Sequence, residues 1–457
     1  MQGLVFRKQG TPPEKCGKFL WETGLNESDH KVFENEHQMI EMAMKMLKDV
    51  VIVSACRTAI GKFDGSLKDL QAYNLASIVM KEALKRANNL DPNLLGDVRF
   101  GCCLEPWDAL NVARVAALLA GIPNTVPAVT MNRVCTSAME AIVSGMFQIQ
   151  VSFTDIVLVG GVESMNNVPY VLPDARWGAR LFDKTLVDAL TGGLHAGSHV
   201  IKYPKDGPIE AARGKPYIMG MTAEFLAKKH NISRKEQDEV AMRSHNNAEK
   251  ATKEGRFKDE IVPITIPQKK GNPIVVDKDE HFRPGMTMEQ LAKLPPSFLT
   301  DGTGTVTAGN SSGINDGAAA MVIMSAEKAK ALNLKPLAKI TGVGMGGCAP
   351  EYMGESPKPA VEDLLRRTGH KITDYGLMEV NEAFASQYLA CEKLLGLNRE
   401  ITNVNGSGIG LGHPVGCSGT RLVVTLIHEM KKRNVKRGMA TLCGGGGVSI
   451  ATEYELM

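Results

Sequence analysis

Four short segments carry residue types that could do covalent chemistry together. The first is Asn132-Arg-Val-Cys135-Thr-Ser, where a cysteine follows a strand-like run and stands just before a helix. A thiol at a helix start faces free N–H groups and the positive end of the helix dipole, which predicts a lowered pKa and available thiolate. A buried structural cysteine would look the same in isolation. The second is Asn405-Gly-Ser-Gly-Ile-Gly-Leu-Gly-His413-Pro, a histidine in a glycine-rich turn. Such a backbone admits a close ligand, and the imidazole could deprotonate a cysteine and then donate to an oxyanion. Phosphate cradling is a poorer reading, because the Lys-Ser/Thr of a P-loop is missing. The third is Leu442-Cys443-Gly-Gly445-Gly-Gly, where a second thiol beside exposed N–H groups could act as acid or base, or where the glycines merely make a tight hairpin. The fourth is Glu379-Val-Asn381-Glu382-Ala-Phe384-Ala. Its Asn381 could hold a water or an oxyanion, or cap a helix.

These residues need a scaffold, and hydrophobic periodicity supplies one. Val50 to Val53 reads as a buried strand, and Leu75, Ile78, Val79 and Ala83 recur at helical spacing. Thr136 to Ile149 reads as a helix and Ile156 to Val159 as a strand ending at Gly160-Gly161. Alternating short strands and helices indicate a layered α/β fold. The order then repeats. Cys135 and Cys417 each open an apolar helix, and each helix is followed by a strand and a Gly run, about 280 residues apart. Between the copies, about 166–296, the chain is polar and broken by Pro and Gly, and Ser233-Arg-Lys-Glu236 has capping-box spacing. This reads as an inserted loop domain, the usual place for substrate contacts. The expected division is an extension over 1–48, an N-terminal half over 49–165 and 297–320, a loop domain over 166–296, and a C-terminal half over 321–457.

Composition narrows the function classes. The 457 residues are 43% hydrophobic and 23% charged, enough for a large core and two or three packed units. With 53 basic and 50 acidic residues and no basic block, nucleic acid is a poor partner. No apolar run reaches the ~20 residues needed to span a bilayer. Nine cysteines without a C-x-x-C pair argue against a disulfide scaffold or a metal site and for a reducing, cytoplasmic setting. Residues 1–48 have neither the apolar core of a secretory signal nor the Arg-rich, acid-poor character of a transit peptide. Met42, Met44 and Met46 precede the first strand, so an over-long start and a genuine appended arm are equally good readings.

Taken together, the four segments resemble the thiolase family. Gly161-Val-Glu-Ser-Met-Asn-Asn, Gly220-Met-Thr-Ala-Glu, Gly304-Thr-Val-Thr-Ala-Gly-Asn-Ser-Ser-Gly and Asn315-Asp-Gly-Ala-Ala extend the resemblance from Asp49 to the C-terminus. Asp279-Glu-His-Phe-Arg-Pro and the run from Glu379 to Tyr388 look closest to degradative 3-ketoacyl-CoA thiolases.

The resemblance implies a five-layer αβαβα fold of two similar halves with an inserted loop domain. It implies an acyl-CoA:acetyl-CoA C-acyltransferase of fatty acid metabolism, with acyl-CoA and coenzyme A as substrates, no separate cofactor and no metal. It implies a homodimer or homotetramer. By motif, Cys135 is the acylated nucleophile, His413 activates it and lines an oxyanion hole, and Asn381 holds the water of that hole. Cys443 moves the α-proton, and the N–H groups of Cys135 and Gly445 form a second hole. Ser312 lies along coenzyme A, and Met219 and Phe384 line the pocket.

Two features depart from the family pattern. Short-chain members commonly have His-Met-Gly where this chain has Ile218-Met219-Gly220, and the stretch from Gly193 to Pro216 is longer than expected. Both point away from acetoacetyl-CoA and toward a larger acyl group, with an acetoacetyl-CoA-forming enzyme as the alternative. A ketoacyl-carrier-protein synthase would need Cys-His-His, and a purely binding subunit would need no nucleophile.

Overall fold

The computed structural model describes residues 47–268 and 270–457. The expectations for residues 1–46 therefore lie outside the described residues.

The N-terminal half opens with β1 (Val50–Thr58), whose nine residues are all buried; the first four are apolar, and the buried Arg57 near its end is paired with Glu260 and Asp279. It continues through α1 (Ala72–Arg86), β2 (Asp97–Gly101), α2 (Val112–Leu119), β3 (Ala128–Met131), α3 (Ser137–Gln150) and β4 (Ile156–Ser164). An inserted stretch carries α4 (Met219–Lys229) and α5 (Arg234–Lys253), the latter opened by the Ser233–Glu236 capping box. β5 (Asn315–Ser325) returns to the sheet. The C-terminal half then runs β6 (Ala338–Gly347), α6 (Pro357–Thr368), β7 (Leu377–Val380), α7 (Ala385–Leu395), α8 (Ser418–Arg433), β8 (Arg437–Gly444) and β9 (Val448–Leu456).

The long strands follow the order β7-β8-β9-β6-β1-β5-β4-β2-β3. The path is two half-sheets meeting at a weak seam. β1 and β6 share only the pairs Val51–Lys339 and Ile52–Ala338, whereas β1 pairs with β5 from Val50 to Arg57. β4 runs parallel to β2 and antiparallel to β5, and β8 runs parallel to β7 and antiparallel to β9. The two halves thus share one pairing pattern, which is the repeat seen in the sequence.

Three apolar cores set the layers. Leu75 and Val79 of α1 and Val112 and Ala116 of α2 cover one face of the N-terminal sheet. Ile142 of α3 and Leu422 and Val423 of α8 fill the space between the two sheets. Val361 of α6 and Tyr388 of α7 cover the outer face of the C-terminal sheet. The result is αβαβα. The middle layer is tight. Thr420 Oγ1 donates to Ala138 O at 3.2 Å, and a Cβ on Gly419 would stand 2.4 Å from Met139 N. Only glycine lets α3 and α8 approach this closely.

One expected boundary is corrected. A division after residue 320 would cut β5, which runs unbroken to Ser325 with every residue buried between β1 and β4. Residues 297–314, assigned to the N-terminal half, form loops that bond to the C-terminal half: Ser312 N donates to Ala383 O at 3.0 Å and Ala385 N to Asn310 O at 2.9 Å.

Candidate active site

Cys135 sits on a strained turn between β3 and α3. Val134, directly before it, has φ +51°, a left-handed conformation that a β-branched residue rarely adopts. The turn is held from both sides. Asn132 Oδ1 accepts from Val134 N at 3.0 Å, its Nδ2 donates to Cys103 O at 3.0 Å, and Ser137 Oγ accepts from Arg133 N at 2.9 Å. The backbone N–H groups of Gly445 and of Cys135 itself lie near enough to the thiol to favour its thiolate. The expected lowering of its pKa is not found. Burial dominates and pushes the thiol up to about 11, with the nearby Glu163 carboxylate adding to it and the two N–H groups opposing it. At neutral pH the group is a thiol.

His413 is fixed as its partner. Its N–H donates to Asn315 Oδ1 at 2.9 Å, and Gly412, at φ +105°, passes so close that a Cβ would lie 2.8 Å from the Asn315 side chain. The ring tautomer follows from the bonds around it. Ser418 Oγ donates to Pro414 O at 2.9 Å, so it accepts from His413 Nδ1 at 2.6 Å. The proton is therefore on Nδ1, and Nε2 carries the free lone pair. Burial, then Arg421, depresses the imidazole to about 3, which keeps it neutral.

Asn381 joins this pair. Its Nδ2 is 3.3 Å from His413 Nε2, and its buried Oδ1 has no hydrogen-bond partner. It is not a helix cap, since α7 begins at Ala385 with Phe384 in the cap position.

Cys443 and Gly445 belong to the β8–β9 hairpin, where Gly446 and Gly447 have φ of +80° and +87°. A Cβ on Gly445 would lie 2.7 Å from Ala196 Cβ, so only glycine lets the hairpin pack this closely. Cys443 is 1% exposed, and its thiol is raised well above the ordinary range, first by burial and then by Cys135 beside it. It adjoins Cys135 and packs in an apolar cluster with Met219 and Phe384, two residues of the cavity wall.

A cavity of about 710 Å³ has Cys135 and His413 in its wall, together with Ser312, Met219 and Phe384. Ile218 and Leu194 are also in the wall, beside Phe298, which meets Phe384 edge-to-face at 6.4 Å. The segment between Leu194 and Met219 closes on itself. Met219 N donates to Leu194 O at 3.0 Å, Ser198 Oγ donates to Tyr217 O at 2.6 Å, and the Tyr203 ring stacks on Phe225 of α4 at 4.1 Å. Among the described residues, no group of three or more His, Cys, Asp or Glu could hold a metal ion.

Three supporting residues escaped the sequence reading. Glu163 is fully buried, accepts from Cys103 N, Leu104 N and Gly416 N at 2.9, 3.1 and 2.8 Å, and is raised to about 7 by burial. It ties the loop after His413 to the N-terminal half. Asn315 and Ser418 orient His413. Only the spacing of Ser418 from His413, on a helix start, could have hinted at its role.

A thiol, a neutral imidazole with a free lone pair and convergent backbone N–H donors make a site for acyl transfer through a thioester. The family models "Thiolase, N-terminal domain" and "Thiolase, C-terminal domain" match residues 50–327 and 334–455. This chain belongs to the thiolase family. It is 45% identical over 409 residues to an acetyl-CoA acetyltransferase of Cupriavidus necator, covering 90% of this chain and 100% of that protein. The crystal structure of the Bacillus anthracis acetyl-CoA acetyltransferase superposes with a TM-score of 0.83 at 46% identity, covering 90% of this chain and 99% of that one. Human mitochondrial 3-ketoacyl-CoA thiolase does so with a TM-score of 0.83 at 42% identity, covering 90% and 100%.

Proposed function

We propose that this chain is a 3-ketoacyl-CoA thiolase, with Cys135, His413, Cys443, Asn381 and Gly445 as its working groups and coenzyme A as substrate rather than bound cofactor. The observation that supports this most is that Cys135 and the neutral His413 share the wall of one cavity, because acyl transfer to a thiol needs a base facing the same substrate.

In thiolysis, His413 Nε2 takes the thiol proton as the Cys135 sulfur attacks C3 of a 3-ketoacyl-CoA. The oxyanion is held by the N–H groups of Cys135 and Gly445. The C2–C3 bond breaks, and its electron pair becomes the enolate of acetyl-CoA. His413, now protonated, and a water on Asn381 hold the enolate oxygen, and Cys443 delivers the proton to C2. A second coenzyme A thiol then attacks the acyl-Cys135 carbonyl, loses its proton to Cys443, and leaves as the shortened acyl-CoA; His413 returns its proton to Cys135. Run backwards, the steps are a Claisen condensation. Each oxyanion donor is worth roughly 3–4 kcal/mol in such sites.

The wall around Ile218, Leu194 and Phe298 favours an acyl group larger than acetyl. A degradative role in fatty acid metabolism (β-oxidation) follows from that preference. The eight free cysteines among the described residues fit a cytoplasmic setting. A homodimer or homotetramer is supported by β3, an edge strand with all four residues half-exposed, and by the exposed Leu118 and Leu119 of α2. Among the described residues, no helix is long and apolar enough to cross a membrane.

The test is direct. Incubation with acetyl-CoA should add an acetyl mass to the peptide carrying Cys135, and Cys135→Ser should abolish both the adduct and thiolysis while coenzyme A still binds. Turnover by the serine variant, or a pure binder with no adduct, would reject the assignment.

A further inference from the structure

A second cavity, of about 560 Å³, shares no wall residue with the first. Its floor is Val53, Ser54 and Ala55 of β1 together with Leu337 just ahead of β6, so it lies on the seam between the two half-sheets. The floor is firmly built: Leu337 N donates to Ile52 O at 2.8 Å, and His428 Nε2 donates to Ala55 O at 3.2 Å. Ser54 is 1% exposed, and its hydroxyl has no hydrogen-bond partner.

The walls are cationic. Arg86 comes from the end of α1, Lys258 from the turn after α5, and Lys431 and Lys432 from the last turn of α8. The acid in the wall is Asp259, which pairs with Lys432 at 3.2 Å, while Arg86 pairs with Glu82 at 2.9 Å. Among the described residues, neither Lys258 nor Lys431 makes an ion pair. Cations in the last turns of α1 and α8 are ordinary complements to the helix dipole. That accounts for Arg86, Lys431 and Lys432 singly. Arg86 and Lys432 also tie their helix ends to the turn, donating to Asp259 O and Arg256 O, but Lys258 belongs to no helix end and Lys431 takes no part in that tie. Among the described residues, Arg86, Lys258, Lys431 and Lys432 face only Asp259 in the wall and Glu82 beside Arg86, and an anion in the hollow would offset the surplus positive charge.

We propose that this cavity binds an oligophosphate anion, such as inorganic pyrophosphate or the diphosphate of a nucleotide. Several cations arriving from three directions match an anion with charged oxygens on both ends, and the volume falls in the range of small-molecule sites, about 300–1,000 Å³. The anion would span the N-terminal half, the 258–259 turn and α8 across a seam of two residue pairs. Occupancy therefore stabilises the folded chain by mass action.

Pyrophosphate is titrated calorimetrically into the full chain with the catalytic cavity saturated by coenzyme A. Thermal melts are recorded alongside. We expect one site per chain, a Tm that rises with pyrophosphate, and weaker binding as salt increases. Lys258→Ala/Lys431→Ala should lower affinity at least about tenfold with thiolysis rates unchanged, since the expected loss of two charge-assisted contacts exceeds that factor. Lys235→Ala/Lys358→Ala, two exposed lysines elsewhere, should bind as wild type. No binding by wild type, binding unchanged in the first pair, or an equal loss in the control pair would each overturn the site.

Discussion

Replacing Ser418 by alanine tests whether His413 works as a neutral base with its proton held on Nδ1. In the native site Nδ1 donates to Ser418 Oγ at 2.6 Å, and the hydroxyl passes its own proton to Pro414 O at 2.9 Å. Alanine leaves a buried N–H without an acceptor. The ring can relieve this by moving its proton to Nε2, the atom that must take the Cys135 proton. Either the N–H stays unsatisfied or the base is in the wrong tautomer. A lost buried hydrogen bond costs about 1–3 kcal/mol, which corresponds to roughly 5- to 150-fold in rate.

The assay is rapid-quench measurement of acetyl-Cys135 formation from acetyl-CoA, with steady-state thiolysis alongside. The loss should fall on the acylation rate and kcat, with KM changed less than about twofold, because Ser418 is behind the imidazole and not in the cavity wall. An unchanged acylation rate, or a defect confined to KM, would refute the tautomer argument and with it the role of His413 as base.

Three further outcomes are expected. Cys443→Ala should still accept acetyl onto Cys135 but fail to exchange deuterium at the acetyl methyl of acetyl-CoA; exchange at the wild-type rate would place the base elsewhere. With the Cys135 thiol pushed up to about 11, ultraviolet thiolate absorbance compared with Cys135→Ser should show no step below pH 8, and a step near neutrality would mean a resting thiolate–imidazolium pair. With Ile218 and Leu194 in the cavity wall, kcat/KM for some longer, branched or aryl 3-ketoacyl-CoA should exceed that for acetoacetyl-CoA, since each added methylene contributes about 1–3 kcal/mol; a preference for acetoacetyl-CoA over every larger substrate would remove this reading.

Periodicity made the elements legible where apolar runs were long. The helix expected over 136–149 is α3 at Ser137–Gln150, and the strand expected from Ile156 is β4, extended to Ser164. The boundary expected after residue 320 falls inside β5 because Asp316-Gly-Ala-Ala-Ala has little strand propensity of its own; these residues are extended because β1 and β4 pair with them on both sides. The site shows the same division. Cys135, His413, Asn381 and Gly445 stand in segments that resemble the family's motifs, although each segment alone also has a bland reading. Glu163 and Ser418 act by bonding to backbone and ring atoms brought near only by the fold. The sign of the Cys135 shift was misread for the same reason: the helix start counts N–H groups in sequence, but burial is a tertiary quantity, and burial is the larger effect.

The repeat explains why one site exists where two are foreshadowed. Cys135 and Cys417 occupy matching places, each just ahead of one of the two helices of the middle layer. Their surroundings differ: Cys135 is in the wall of the cavity and Cys417 is not. Cys417 is 1% exposed, packs in the apolar core between the sheets, and is raised to about 12 by burial. Its backbone N–H is spent on Pro414 O at 2.9 Å, in the turn that presents His413. On the proposed mechanism the C-terminal copy holds the base and the N-terminal copy the nucleophile. Glu163 keeps them in register by accepting Cys103 N and Leu104 N from one half and Gly416 N from the other. Neither half has the complete proposed set: Cys135 comes from one, and His413, Asn381, Cys443 and Gly445 from the other. The chemistry therefore depends on the seam, and disruption of the α3–α8 contact at Gly419 should abolish acylation even where each half keeps its sheet. Gly419→Val, read by acetyl-Cys135 formation and by circular dichroism, separates these outcomes: a folded variant that still acylates at the wild-type rate would show that the close approach of the two helices is not required.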